Sequence, residues 1–412
     1  MSVFTYVFLI EMLINYREYK RWKSGHMPAE LIPFFVDPEK YRAIAKVSME
    51  SSAAVATVTF FKHIIPTIAI GFSLIPKAWE WFEAKTSSSI LTSSSAFRVR
   101  ASVMFIIILG SIYGILILIG AFLAQLLMPN AVDYKKLALG LLWAIRQVII
   151  GNTVYALLYG FLATRYNKNP KKFWRGLLLL VLSLVVLVAF GPAVLIKLIP
   201  TLPLSDSLSK KAEALFSRVG FDGIECIRVL DPPVGEPNAA FLGFGPLKSI
   251  ILFKSLIVML PENNLMAVLA HELGHWYNND IPIRIFEFIL LAAALCFLTW
   301  WIRGKKHLFK SLGFTSDSAP PFVICLFCLG ILSNVLIFIF QPLNNMLGWY
   351  MEYRADTYAT KLGYGKDIIE ALLILADSGG KWEAILGDWM FAIFHFDHPT
   401  LAMRIRNVVA NQ

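Results

Sequence analysis

Two histidines four residues apart, with a glutamate directly after the first, are the residues of this chain best suited to chemistry. They are His271, Glu272 and His275, in the run HELGH. On an α-helix, residues i and i+4 lie on one face, about 6 Å apart along the axis. Two imidazoles placed in this way can bind one zinc ion at about 2 Å each, and Glu272 can take a proton from the water that completes the site. The pattern predicts a catalytic site with one zinc per chain; the alternative is two core histidines near a helix end.

A third ligand must come from another part of the chain, because a catalytic zinc usually has three protein ligands and keeps one position for water. The best candidate is Glu352, which forms an i, i+4 pair with Asp356 on a predicted helix. Glu352 is predicted to bind the metal, and Asp356 to accept the free N–H of a ligand histidine. The alternative is a solvated acidic face with Arg354 as its counter-ion.

The segments around the zinc motif have the pattern of a small α+β domain. An apolar run precedes HELGH, and Pro261 is a plausible start for the zinc helix. The stretch from Asp206 to Val219 has the spacing of an amphipathic helix. Three stretches alternate like strands, and they are Ile224–Leu230, Ala239–Phe244 and Ser249–Phe253. An alternating strand of this kind can also pair with an extended substrate.

The composition of the chain is that of a membrane protein. Of 412 residues, 57% are hydrophobic and only 16% are charged, whereas soluble chains have about a quarter charged residues. The net charge of +10 does not indicate nucleic acid, because Lys and Arg cluster beside apolar runs. Anionic lipid headgroups are the expected partner of these clusters. The four cysteines form no disulfide framework.

Seven apolar runs predict membrane spans, although the first is short for a complete span. They are Met1–Tyr16, Ala53–Trp79, Ser102–Met128, Leu137–Ala163, Leu177–Ile199, Ile285–Ile302 and Pro321–Phe340. The predicted organisation is a membrane region at 1–199, a zincin-like domain at 200–283, two further spans at 284–345, and a catalytic tail at 346–412. Both sets of loops carry many Lys and Arg residues, so the charge bias does not decide the topology.

Polar residues inside the predicted spans suggest an alternative class of protein, a transporter or channel. Arg146 and Asn152 lie in the fourth span, as they would in a transporter or channel, and Lys62 and His63 lie in the second. Such residues usually face a bundle interior or a water-filled cavity. The complete zinc constellation favours an enzyme over a transporter.

These motifs together resemble the gluzincin membrane proteases, and specifically the type I CAAX prenyl endopeptidases. The resemblance rests on HELGH with Trp276, on the run from Glu352 to Asp356, on Asn238–Phe244 before the zinc helix, and on His398-Pro399 followed by Arg404. It covers 200–406 well and the first five spans loosely. The loop 128–136 departs from it, because the charged and aromatic stretch expected there is missing.

The resemblance implies an all-α membrane protein whose seven helices form a barrel around a chamber, with the zinc site on the cytosolic side of the endoplasmic reticulum membrane. It implies removal of the last three residues from a prenylated Cys-a-a-X protein or peptide. His271, His275 and Glu352 would be the ligands and Glu272 the base. Asn238, Ala239, His398 and Arg404 would hold the substrate backbone and the developing oxyanion.

Less specific interpretations of two of these sites remain open on the sequence. Without the resemblance, His398-Pro399 is better interpreted as a helix-start turn with a surface histidine, and Asn238 as the start of a strand. A membrane protease of the bacterial heat-shock type, with the same chemistry on damaged proteins, is the alternative function. The larger number of spans favours the CAAX interpretation. Replacement of His398 or Arg404 is expected to lower kcat while leaving zinc and stability nearly unchanged.

Overall fold

Helices dominate the fold, as the apolar and amphipathic runs predict. The computed structural model describes residues 2–27, 29–34, 38–87, 95–126, 134–221, 223–231, 237–302, 305–314, 322–379 and 387–412. Its α-helices are α1 (Ser2–Lys23), α2 (Pro38–Gly71), α3 (Leu74–Ser87), α4 (Ser95–Leu126), α5 (Tyr134–Lys168), α6 (Pro170–Leu195), α7 (Asp206–Val219), α8 (Lys254–Met259), α9 (Glu262–Tyr277), α10 (Asp280–Ile302), α11 (Lys306–Ser311), α12 (Phe322–Ala359), α13 (Gly365–Gly379), α14 (Trp389–His395) and α15 (Leu401–Ala410). The divergent loop at 128–136 lies mostly outside the described residues.

Five helices of the described residues are long and apolar enough to cross a membrane. They are Tyr41–Gly71, Ala101–Leu126, Ala138–Leu162, Arg175–Leu198 and Asp280–Ile302. They correspond to the second to sixth predicted spans. The first and seventh predicted spans fall on α1 and α12, and the total of seven stays a prediction.

The predicted end of the second span is wrong. The prediction ran to Trp79, whereas α2 ends at Gly71 and a new helix begins at Leu74. Ser73 between them has a φ of 51°, which breaks the helical path. Proline is tolerated in the first turn of a helix, so Pro76 can lie near the start of α3. Trp79 therefore belongs to α3, where it is 4% exposed.

The described chain forms two compact units, and the first comprises 1–25, 43–180 and 293–339. An aromatic cluster lies at its core, where Trp79 and Phe82 both make edge contacts with Phe105. Helices α4 and α5 pack closely, since a Cβ on Gly110 would lie 2.6 Å from the Asn152 side chain. Asn152 donates to the Val148 carbonyl of its own helix at 2.9 Å. Its side-chain amide is therefore hydrogen-bonded within α5 at the contact with α4.

Charged residues of the first unit pair with one another within the predicted spans. Glu11 of α1 lies 2.9 Å from His63 Nε2 and 3.3 Å from Lys62 Nζ, both on α2. The Asn15 amide donates to Thr59 Oγ1 at 3.4 Å, one turn along the same pair of helices. Lys62 and His63, which lie within a candidate membrane span, thus have an acidic partner, as expected for ionisable residues in such a span.

The second unit comprises 26–42, 181–292 and 340–412, and it contains the small sheet. Its strands are β1 (Ile227–Leu230), β2 (Ala239–Leu242) and β3 (Ser249–Phe253), in the order β1-β3-β2. β3 is parallel to β1 and antiparallel to β2. The predicted strand from Ile224 is shorter than expected, because Ile224–Cys226 form a 3-10 turn. The central strand is nearly all buried, which is why its apolar run is continuous.

Helix α12 joins two segments that the sequence treated separately. The predicted last span and the start of the soluble tail form one helix, Phe322–Ala359, which continues through Pro342. Glu352 and Asp356 therefore belong to the same helix as the last apolar run. Helices α9 and α13 pack together in this unit, and the Asn264 side chain donates to the Asp367 carbonyl at 3.1 Å.

Candidate metal centre

The zinc motif lies on a helix buried along nearly its whole length. Helix α9 starts directly after Pro261, and Glu262 in its first turn complements the helix dipole. Gly274, between the two histidines, contacts helix α12. A Cβ at Gly274 would lie 2.7 Å from Ala355 Cα, so only glycine allows the two ligand-bearing helices to approach this closely.

The three predicted ligands meet at one point. His271 Nε2 lies 3.2 Å from His275 Nε2 and 3.5 Å from Glu352 Oε2, and His275 Nε2 lies 3.4 Å from Glu352 Oε1. Donors of a tetrahedral zinc with bonds of about 2.0–2.1 Å are about 3.3 Å apart. Glu352 Oε2 is buried without a hydrogen-bond partner among the described residues. Spacing, burial and donor chemistry fit a zinc ion.

A buried carboxylate lies behind each histidine. His271 Nδ1 is 2.9 Å from Asp356 Oδ1, and His275 Nδ1 is 2.8 Å from Asp280 Oδ2. When each Nδ1–H donates to its carboxylate, both Nε2 atoms keep a lone pair for a metal. The structure places Asp356 beside His271, and the sequence did not identify Asp280.

Each of these carboxylates is paired with an arginine. Arg404 binds Asp356 through two hydrogen bonds, Nη2 to Oδ1 at 2.6 Å and Nε to Oδ2 at 2.9 Å. Arg354 donates to Asp280 Oδ1. Asp356 is fully buried, and Asp280 is 3% exposed. The carboxylates of α12, Glu352 and Asp356, therefore do not form a solvated acidic face. Arg354 pairs with Asp280 instead.

The charges of the site favour a cation between the ligands. Burial alone would raise the pKa of Glu352, but Arg404 and the hydrogen bond from His275 hold that pKa well below its usual value. Burial would lower the pKa of His275, but hydrogen bonds to Asp280 and Glu352 raise it to about 10. The carboxylates around His275 thus stabilise positive charge at its ring, and a metal ion would take the place of the proton there.

The C-terminal segment brings His398 and Arg404 to the same site. His398 Nε2 is 3.4 Å from Glu352 Oε1, its Nδ1 is 2.9 Å from Asp397 Oδ1, and its side chain is 58% exposed. Trp349 of α12 anchors this segment by donating to the Phe396 carbonyl at 3.1 Å. Arg404 Nη1 also lies 3.3 Å from Glu352 Oε2. His398 is thus accessible, whereas Arg404 is enclosed by two carboxylates.

A cavity of about 350 Å³ opens beside these residues. Glu272, Asn238 and Ala239 line it, as do the ligands, His398 and Arg404. The Asn238 carbonyl accepts from Phe253 N at 3.0 Å, and its side-chain oxygen accepts from Ala239 N at 2.9 Å. Asn238 therefore directly precedes β2 and also lines the cavity. The apolar residues that line the cavity include Phe241, Leu256, Val268, Met351, Ile368 and Leu372.

Asp280 and Arg284 line the cavity as well, and the sequence interpretation missed both. Each precedes the predicted sixth span, which was taken to begin at Ile285. The turn at Asn278 and Asn279, where Asn279 has a φ of 56°, directs α10 so that Asp280 meets His275. The sequence signal was an aspartate five residues after a candidate ligand.

Comparison with known proteins gives consistent matches. Residues 206–412 match the family described as Peptidase family M48. The chain is similar to CAAX prenyl protease 1 of Saccharomyces cerevisiae, at 25% identity over 426 residues, covering 97% of this chain and 92% of the yeast protein. It is also similar to a CAAX prenyl protease 1 homolog of Arabidopsis thaliana, at 31% identity over 222 residues, covering 50% of this chain and 48% of that protein. The crystal structure of S. mikatae Ste24p shares the fold, with a TM-score of 0.74 at 22% identity, covering 99% of this chain and 97% of the other.

Proposed function

The chain belongs to peptidase family M48 and is a multi-pass membrane metalloprotease, and from this premise we propose that it is a zinc endopeptidase that removes the last three residues from prenylated Cys-a-a-X proteins or peptides. The observation that carries the proposal is the buried group of His271, His275 and Glu352, whose ligand atoms all lie within 4.8 Å of one another. The proposed setting is a seven-helix chambered barrel in the endoplasmic reticulum membrane.

His271, His275 and Glu352 would hold the metal. Zinc bound there would supply a Lewis acid that polarises a peptide carbonyl and lowers the pKa of water. Asp356 and Asp280 fix the orientation of the two imidazoles through their Nδ1 atoms. Arg404 and Arg354 fix these carboxylates in turn.

Glu272 acts as the general base and acid. It follows His271 directly, lines the cavity and is 7% exposed. Its carboxylate accepts a proton from the attacking water and returns it to the leaving amine. His398 donates to the carbonyl oxygen as negative charge develops, because its Nε2 lies beside Glu352 and its ring is open to the cavity. Arg404, which lies beside the ligand Glu352, stabilises the same negative charge electrostatically.

The substrate backbone would lie along β2. Within the described residues β2 pairs only with β3, so its other edge has N–H and C=O groups available for an extended peptide. Asn238 and Ala239 lie at the start of this strand, on the cavity wall. The apolar residues of the wall suit the aliphatic side chains that follow the cysteine. The proposed preference for prenylated substrates follows from the similarity to CAAX prenyl proteases over most of their length.

Matched peptides test this function. Purified protein should cleave a prenylated Cys-a-a-X peptide after the cysteine, and a chelator should abolish cleavage. An unprenylated peptide of the same sequence should react far more slowly. Equal cleavage of both peptides would favour the quality-control type of protease, and cleavage that survives metal removal would contradict the zinc mechanism.

The zinc helix and the C-terminal tail are proposed to face the cytosol. Two predicted spans separate them, Ile285–Ile302 and Pro321–Phe340, so both lie on one side of the membrane. Glycosylation acceptors introduced after Lys211 and near the C-terminus should remain unmodified in cells. Modification of either acceptor would place the site on the lumenal side.

A further inference from the structure

Arg284 is a cavity-lining arginine to which the proposed reaction assigns no part. It lies on α10, one turn after Asp280, and its side chain is 25% exposed. Four residues along a helix correspond to about 6 Å, so Arg284 lies on the same face of α10 as Asp280, one turn along that helix. Asp280 in turn contacts His275.

One side of the Arg284 guanidinium is already bound. Nη1 donates to Glu287 Oε2 at 2.8 Å and to Asn344 Oδ1 at 2.8 Å. No hydrogen bond from Nη2 is found within the described part of the chain. Nη2 lies over Gly348, where a Cβ would be 2.6 Å from Nη2 and 2.8 Å from the Asp397 carbonyl. Glycine at this position leaves room for the guanidinium beside the cavity.

The other cationic side chains of the cavity have carboxylate partners there. Arg404 is bound by Asp356, and His398 by Asp397 and Glu352. Among the described cavity residues, Arg284 has a terminal nitrogen, Nη2, with neither a hydrogen bond nor an ion pair, whereas Arg404 Nη1 lies 3.3 Å from Glu352 Oε2. Guanidinium is also the side chain best suited to bind a carboxylate.

A peptide with a free C-terminus brings a carboxylate into this cavity. If the bond before the last three residues is cut, the α-carboxylate lies three residues from the scissile bond. Three extended residues span about 10 Å, which agrees with a receptor one helical turn beyond Asp280. Glu272, Asp280 and Glu352 would repel this carboxylate near the metal, so a cation further along is needed.

We propose that Arg284 binds the C-terminal carboxylate of the substrate through Nη2 and so selects a free C-terminus three residues beyond the scissile bond. This inference rests on the proposed function, because that function defines where the chain is cut. Arg284 would position the end of the peptide and contribute to KM more than to kcat.

The test compares two prenylated peptides that differ only at the C-terminus, one a carboxylate and the other a carboxamide. The parent protein should prefer the carboxylate by about 10- to 100-fold in kcat/KM, as expected for a charge-assisted hydrogen bond. Arg284→Gln should remove this preference by raising KM for the carboxylate, and should leave the carboxamide nearly unaffected. Arg218→Gln is a control, since Arg218 binds a carbonyl, that of Leu362, on the surface.

Glu287→Gln separates binding from a structural role. It removes the ion pair with Nη1 but keeps the guanidinium, so the preference for the carboxylate should persist. If Glu287→Gln instead reproduces Arg284→Gln, or if Arg284→Gln slows both peptides equally, Arg284 only links helices and the inference is wrong. Equal cleavage of both peptides by the parent would overturn the inference but not the proposed function. Failure to cleave either peptide would overturn the function itself.

Discussion

Asp280 Oδ2 lies 2.8 Å from His275 Nδ1, so the second histidine of the motif has its own buried carboxylate. His271 has the equivalent partner in Asp356, at 2.9 Å. Each carboxylate is held by an arginine from a different element, which gives two parallel His–Asp–Arg chains. These hydrogen bonds therefore fix the ring orientation of both imidazoles and direct each Nδ1–H to a carboxylate, which leaves each Nε2 facing the metal position.

Replacement of Asp280 should weaken zinc binding. Asp280→Ala leaves the His275 ring without its hydrogen-bond acceptor, and removing such a partner typically reduces metal affinity about 10- to 100-fold. Competition with a chelator of known affinity measures the change. Asp280→Asn keeps an acceptor oxygen and should recover part of the affinity. As a matched control, Asp231→Ala removes an exposed partner of Lys254 and should not alter zinc binding.

Loss of a direct ligand should have a larger effect than loss of Asp280. His271→Ala and Glu352→Ala each leave two of the three protein ligands, so the purified proteins should contain much less than one zinc per chain. Elemental analysis of the dialysed proteins provides the measurement, with His307→Ala as a control histidine outside the metal centre. Full zinc in both ligand variants would mean that the assignment of ligands is wrong.

Glu272→Gln should retain zinc and lose nearly all turnover. The amide has almost the same shape as the carboxylate but cannot accept a proton from water. General acid–base groups typically contribute about 10²- to 10⁴-fold. Zinc content, melting temperature and kcat on a prenylated peptide are the three measurements. A rate close to that of the parent would exclude Glu272 as the base.

Local patterns were the part of the site that the sequence could predict. HELGH and the pair Glu352 and Asp356 each depend on helical spacing within a few residues, and both helices formed as expected. The strand Ser249–Phe253 was predicted with its observed bounds, because apolar runs between turn residues have a clear length.

The rest of the site depends on contacts that no local pattern encodes. Asp280 meets His275 only because the turn at Asn279 sets the direction of α10. Glycine is unfavourable within a helix, so the sequence alone gives no reason for Gly274. The reason is the close contact with Ala355 of α12, which leaves no room for a Cβ. The bidentate pair of Arg404 and Asp356 joins residues 48 positions apart, so Arg404 could be assigned a role only from a resemblance.

The polar contacts between α1 and α2 should stabilise the first unit. Glu11→Ala leaves His63 and Lys62 without their anion within a candidate membrane span, and loss of a buried charged partner costs about 2 kcal/mol or more. The apparent melting temperature in detergent should fall. Glu39→Ala is the control, since the Glu39–Arg42 pair is exposed and such pairs contribute about 0–1 kcal/mol. Equal melting temperatures for the two variants would mean that the contacts with Glu11 add no stability.

His398 and Arg404 should differ when each is replaced by alanine. His398 is exposed beside Glu352, so its loss should lower kcat by about 10²–10³ with zinc and melting temperature unchanged. Arg404→Ala removes the arginine that holds the buried Asp356 carboxylate through two hydrogen bonds and leaves His271 as its remaining partner, so it should also destabilise the protein by about 3–5 kcal/mol. Arg406→Ala, on the exposed side of the same helix, is the control for both. A His398 variant within about threefold of the parent, far from the loss expected for an oxyanion donor, would make His398 a surface residue of the turn.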